Sequence, residues 1–242
     1  MSSTNSDRGR ILIVDDDQNI LDLLVELLSD EGYEVTTAAD GAHAFELALS
    51  FQPDTVVSDV VMPSVDGLEL CRRLKANEAT SKIPVILISG NQRTPDDDIH
   101  GLQAGADDYL SLPFRNEELM VKVARLAERH RIEKHYREIV EQAADIIYTR
   151  DMNGYLTSIN AAGARFFGKR AHELVGTHLG DLIDKTLADR DIEETKRSDT
   201  PSPYRSLYCL HDAKGEPRYL EGVITIERDR HGNAIGVRGV VR

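Results

Sequence analysis

The chain of 242 residues has only two cysteines, Cys71 and Cys209, far apart and in otherwise ordinary segments. Two are too few for a disulfide framework, and free thiols in a reducing compartment are expected. No run approaches the roughly 18 apolar residues of a membrane span. The polar start, Met1 to Arg10, has no apolar core for a secretory signal. A cytoplasmic chain that contacts no membrane is therefore expected. Basic residues are scarce in the first half. Residues 1–124 carry 23 Asp and Glu against 9 Lys and Arg, a net −14, whereas residues 125–242 carry 19 against 20, a net +1. Such a surplus repels phosphates and argues against nucleic-acid binding by the first half, and the second half has no basic stripe. The step in charge points to two domains joined near residue 125. Walker loops, kinase motifs and helix-turn-helix patterns are also missing.

What is present begins with short apolar runs that end in acids. Ile11-Leu12-Ile13-Val14 runs into Asp15-Asp16, and Thr55-Val56-Val57-Ser58 into Asp59. Apolar runs alternating with amphipathic segments predict a parallel sheet buried on both faces. Ligands of such sheets bind beyond the carboxyl ends of the strands. Strands are expected at 10–14, 34–38, 54–58, 84–89 and 108–112. Helices are expected at 18–30, with Asp17 as N-cap and Gly32 as stop, at 42–50, through Lys75, and from Asn116. The fold class expected for this half is α/β, a doubly wound five-stranded parallel sheet of flavodoxin-like type. Carboxylates gathered at one edge repel each other, and a divalent cation is the usual remedy.

Four motifs carry a family resemblance: Ile11-Leu12-Ile13-Val14-Asp15-Asp16, Ser58-Asp59-Val60-Val61-Met62-Pro63-Ser64-Val65-Asp66-Gly67, Ile88-Ser89-Gly90, and Gly105-Ala106-Asp107-Asp108-Tyr109-Leu110. With them, residues 9–125 resemble a response-regulator receiver domain. The resemblance implies that Asp59 accepts a phosphoryl group from a histidine kinase or phosphotransfer protein. It implies Mg²⁺ held by Asp16, Asp59 and the Val61 carbonyl, with Asp15 acting through water. Ser89 would bond a phosphoryl oxygen, and Tyr109 would be the aromatic that reorients. One position departs from the family. Leu112 stands before Pro113 where a lysine is expected, and leucine brings neither charge nor donor. Arg93 is a candidate substitute, although a solvated loop arginine is the stronger expectation. A receiver that acts as a scaffold without phosphoryl control is thus the alternative reading.

Residues 116–146 lack proline and glycine and are expected to be helical. Ile132, Tyr136, Ile139, Ala143 and Ile146 recur at spacings of four and three, a coiled-coil seam suited to a homodimer. Leu119, Val123 and Leu126 follow the same spacing in another register, and the break falls at 128–131. Beyond the helix, Asn153-Gly154 signals a hairpin. Short helices are expected to Arg197, then strands at 204–211, 218–228 and 234–241. The order predicts an α+β domain with an antiparallel sheet. Residues 138–242 resemble a PAS sensor domain through Ala144-Asp145-Ile146-Ile147-Tyr148, Asp151 to Gly154, Ile159-Asn160-Ala161-Ala162, Phe166-Phe167-Gly168 and Glu173-Leu174-Val175-Gly176. The closing stretch from Gly236 to Arg242 belongs to the same resemblance. The sequence names no ligand for it; His172, His178 and His211 are expected to be ordinary surface histidines.

The expected organisation is a disordered 1–8, a receiver at 9–125, a helical connector at 126–143 and a PAS domain at 144–242. The chain is expected to be no enzyme beyond its own aspartyl phosphorylation. It is expected to be part of a longer protein, with an effector, such as a kinase or cyclase, outside these residues.

Overall fold

A computed structural model describes residues 8–90, 104–197, 200 and 202–242. The segment expected to be disordered lies almost wholly outside the described residues, as does Arg93. The chain divides into two compact units, Met1–His135 and Tyr136–Arg242.

In the first unit, β1 (Arg10–Val14), β2 (Glu34–Ala38), β3 (Thr55–Asp59), β4 (Val85–Ser89) and β5 (Asp108–Ser111) form one sheet in the order β2-β1-β3-β4-β5. Every pairing is parallel. Ile11 to Val14 are all buried because the sheet carries apolar packing on both faces. On one face Ile13, Val57, Ile88 and Leu110 meet α1 (Gln18–Asp30) through Leu21, Leu24 and Leu28. On the other, Leu12, Val56 and Leu87 meet α2 (Gly41–Phe51) and α3 (Gly67–Ala76). Asp17, Asp40 and Asp66 each cap a helix by accepting its first free N–H groups.

The long helix α4 (Asn116–Gln142) resolves the two registers seen in its sequence. Leu119, Val123 and Leu126 are buried in the first unit's core. Ile132, Tyr136 and Ile139 are 59, 61 and 56% exposed. One correction follows at its end. The helix stops at Gln142, not 146, because the buried Asn160 side chain competes for the next backbone groups. Its amide donates to the carbonyls of Val140 (3.0 Å) and Asp145 (2.9 Å), and its oxygen accepts the Ile147 N–H (3.1 Å). Ile146 therefore leaves the seam and opens a strand in the second unit's core.

The second unit pairs β6 (Ile146–Arg150), β7 (Leu156–Ile159), β8 (Tyr204–His211), β9 (Pro217–Arg228) and β10 (Ala234–Val241) in the antiparallel order β7-β6-β10-β9-β8. Between β7 and β8 run α5 (Ala161–Phe167), α6 (Ala171–Leu174), a 3₁₀ turn at Leu179–Asp181 and α7 (Lys185–Lys196). Three turns share one design. Asp151, Asp212 and Asp229 each accept two N–H groups two and four residues on. The glycine third after each aspartate, Gly154, Gly215 or Gly232, takes a positive φ that side chains resist.

Candidate functional site

The parallel order sends every strand of the first unit toward the same edge, so β1, β3 and β4 deliver Asp15, Asp59 and Ser89 there together. The loop after β3 is held at both ends. Gly67 N–H donates to Val60 O (3.0 Å), and Gly41 N–H to Val65 O (3.2 Å). A Cβ on Gly67 would lie 2.0 Å from the Asp59 carbonyl oxygen, so only glycine lets α3 start so close. Asp59 Oδ2 accepts the Val61 N–H at 3.0 Å, and Asp15 Oδ1 accepts the Asp17 N–H at 2.9 Å. Asp15 is buried, Asp59 half-buried and Asp16 exposed.

These carboxylates carry unmet charge. Burial pushes the Asp59 carboxyl above its ordinary range, and the neighbouring Asp15 charge adds to the shift. Burial raises Asp15 too, with Asp16 and Asp17 adding repulsion. No described Lys or Arg forms an ion pair with any of the three. Lys75 pairs with Asp107, and Lys122 and Arg125 with Asp108, at the opposite edge of the sheet where β5 begins. Leu112, just past β5, is 39% exposed, and its N–H donates to Ser89 O at 2.8 Å.

The donor set suits a hard divalent cation. Among the described residues no three His, Cys, Asp or Glu side chains form a metal cage. Mg²⁺ needs none, because it takes one or two carboxylates with carbonyl oxygens and water. The Val61 carbonyl accepts no hydrogen bond from a described residue, and Asp16 faces solvent. Ser89 stands half-buried beside Gly90, where an added Cβ would meet no described residue within 4 Å. Tyr109 packs half-buried against the cluster of Leu87, Cys71 and Ala104.

The family model for the response regulator receiver domain matches residues 11–124, and that for the PAS fold residues 134–242. Response regulator MprA of Mycobacterium ulcerans is 32% identical over 229 residues, covering 88% of this chain and 94% of that protein. The chain belongs to the response-regulator family. MprA of Mycobacterium tuberculosis H37Rv is 37% identical over 232 residues, again at 88% and 94% coverage. The DNA-binding dual master transcriptional regulator RpaA of Synechocystis is 42% identical over 120 residues, half of this chain and 49% of that one. Among solved structures, a Francisella response regulator receiver domain is 34% identical, with 50% of this chain and 98% of that one covered and a TM-score of 0.47. By the family models, the first unit is a receiver and the second a PAS domain. Among the described residues no helix is long and apolar enough to cross a membrane.

The PAS core holds what the sequence reading missed. Arg150 on β6 is buried and donates to Asp191 Oδ2 on α7 at 2.8 Å and to Thr195 Oγ1 at 3.2 Å. Tyr204 and Tyr208 donate their hydroxyls to Asp191 Oδ1 at 3.2 and 3.0 Å. Burial, reinforced by the Asp191 charge, raises the Tyr204 phenol well above its ordinary range. Tyr148 and Tyr208 also border an apolar cavity of about 40 Å³, together with Ile146, Phe167, Leu182 and Val241. That volume holds a water or two, far below the roughly 300 Å³ at which cofactor pockets begin. His172 and His211 are exposed. His178 serves its own turn, accepting the Gly180 N–H at Nδ1 (3.1 Å), with Nε2 3.0 Å from Asn153 O.

Proposed function

We propose that the chain is a phosphorelay switch in which Asp59 accepts a phosphoryl group from the phosphohistidine of a kinase or phosphotransfer protein. The observation that carries this reading is Asp59 itself, its carboxyl raised by burial and by the Asp15 charge with no described Lys or Arg paired to it. The Val61 N–H fixes Oδ2 of Asp59. Its other oxygen forms the new bond to phosphorus while the P–N bond breaks, and the departing imidazole nitrogen keeps the electron pair. Mg²⁺, taken by Asp16, Asp59 and the Val61 carbonyl with Asp15 through water, would offset the charge of the phosphoryl oxygens during transfer. Asp15 and Asp59 would hold that cation by their charge. Ser89 then donates to a phosphoryl oxygen, and Tyr109 follows it inward. Phosphorylation adds roughly 1.5–2 negative charges at the edge of the sheet.

Output runs through α4. The exposed stripe of Ile132, Tyr136 and Ile139 supports pairing with a second copy, with residues 126–143 as connector between a receiver at 9–125 and a PAS domain at 144–242. In this reading the PAS domain contributes dimer contacts or binds a small ligand, and an effector lies in a longer protein. Leu112 favours a second reading, a receiver that binds partners without phosphoryl control, since the expected cation is gone.

Incubation with Mg²⁺ and acetyl phosphate, read by intact mass, separates the two. Addition of one phosphoryl group, lost in Asp59→Asn, is the expected result. A chain that stays unmodified even with a cognate kinase is the scaffold.

A further inference from the structure

Ser111 ends β5, and its hydroxyl oxygen is shielded from solvent with no hydrogen-bond partner among the described residues. Buried hydroxyls are nearly always paired, because an unpaired one forfeits its bonds to water. Its position narrows the missing partner. Ser111 stands in register with Ser89, and partners on parallel strands share a face. Alternation along β5 puts Tyr109 on that face too. The packing agrees, since Tyr109 and Leu87 lie in one apolar cluster and Leu110 and Ile88 in the other. Among the described residues of β4 and β5, the polar side chains on this face are therefore Ser89, Tyr109 and Ser111.

The rest depends on the phosphoacceptor reading above. Once Asp59 is phosphorylated, the Ser89 hydroxyl is committed to a phosphoryl oxygen, which leaves Tyr109 for Ser111. Two strand residues span about 6.6 Å, a reach that a tyrosine side chain covers. A change of rotamer at Tyr109 brings its phenol to the Ser111 hydroxyl. We propose that Ser111 is a positioning residue of the switch, pairing with the Tyr109 phenol in the phosphorylated state and holding it inward. The unpaired hydroxyl of the resting state then acts as a bias, because switching gives it the partner it lacks. With Leu112 in place of a cation, that bond supplies part of the hold on the switched state.

The test uses the full chain labelled with fluorotyrosine, the Tyr109 resonance being assigned with Tyr109→Phe. Fluorine NMR is recorded before and after acetyl phosphate with Mg²⁺, and intact mass gives phosphoryl occupancy in the same samples. In the wild type the resonance moves to a second position on phosphorylation. Ser111→Ala takes up the group to the same extent, but the inward-to-outward ratio falls about fivefold, the worth of one net hydrogen bond. Ser111→Thr, which keeps the hydroxyl, restores it. An unchanged ratio in Ser111→Ala at equal occupancy overturns the role of Ser111 and leaves Asp59 as acceptor. A Ser111→Ala chain that folds but takes no phosphoryl group overturns it as well, by putting Ser111 in the transfer itself. A wild type that takes none removes the phosphoacceptor reading, and the proposal falls with it.

Discussion

At the scale of single residues, the receiver site is a cluster of charges the fold places at a cost. A carboxyl raised above its ordinary value binds more protons folded than unfolded between the two values. Stability therefore falls as pH rises through that window, and the penalty is complete above the raised folded value. Burial sets the direction for Asp59 and Asp15. Asp59→Asn is thus expected to raise the melting temperature of the receiver at neutral pH without Mg²⁺, with the gain vanishing below the ordinary carboxylate range. Calorimetry across pH checks both. Mg²⁺ at ten times its dissociation constant should stabilise the wild type by about 1.4 kcal/mol, and Asp59→Asn much less. Leu112→Lys would return the expected cation. It should flatten the pH dependence and speed phosphorylation by acetyl phosphate roughly a hundredfold, the lower end of what one donor to developing charge contributes.

At the scale of elements, α4 does two jobs with two stripes. Its first half closes the receiver core and its second half leaves Ile132, Tyr136 and Ile139 to solvent. Ile132→Ser combined with Ile139→Ser should convert a dimer to a monomer in sedimentation, while the receiver's melting is unchanged because Leu119, Val123 and Leu126 are untouched. In the PAS domain, Arg150 ties β6 to α7 through Asp191. Arg150→Met alone strands a buried carboxylate and should cost about 3–5 kcal/mol in denaturant unfolding. The double change with Asp191→Leu should recover only part of that loss, because it also leaves the Tyr204 and Tyr208 hydroxyls without their acceptor. The strands at 10–14, 34–38, 204–211 and 234–241 and the helix at 18–30 were legible with these bounds, since each shows one clear period between turn residues. The end of α4 was not, because what stops it is Asn160, which lies 18 residues beyond Gln142 and is brought there by the turn of the PAS fold. The Arg150–Asp191 pair was equally hidden, since nothing local marks two charges 41 residues apart as partners.

At the scale of the whole molecule, the two units carry charge differently and should answer acid differently. In the PAS unit, Asp212 is held below its ordinary range by backbone N–H groups and Arg218, and Asp229 by Asn233 and backbone N–H groups. Their support is complete above the ordinary carboxylate range and is lost as pH falls through their lowered folded values. Both are half-buried turn residues whose partners reach the surface, so each effect is modest and screened by salt. Mild acid should therefore loosen the PAS unit, while in the receiver it relieves Asp15 and Asp59 but removes the support of Asp108, which, against burial, Lys122, the Tyr109 N–H and Arg125 hold below its ordinary range; Mg²⁺ should move only the receiver's calorimetric transition. The sequence alone determined two domains, the α/β and α+β classes and the acids at strand ends, because periodicity, turn residues and charge are local properties; that Leu112 stands where a lysine is expected came from the family resemblance. Tertiary structure alone decided that Asp15 and Asp59 share uncompensated charge, that Ser111 is left without a partner among the described residues and that Arg150 is buried on Asp191. Those facts depend on which surfaces exclude water and which distant groups meet, and no stretch of sequence carries either.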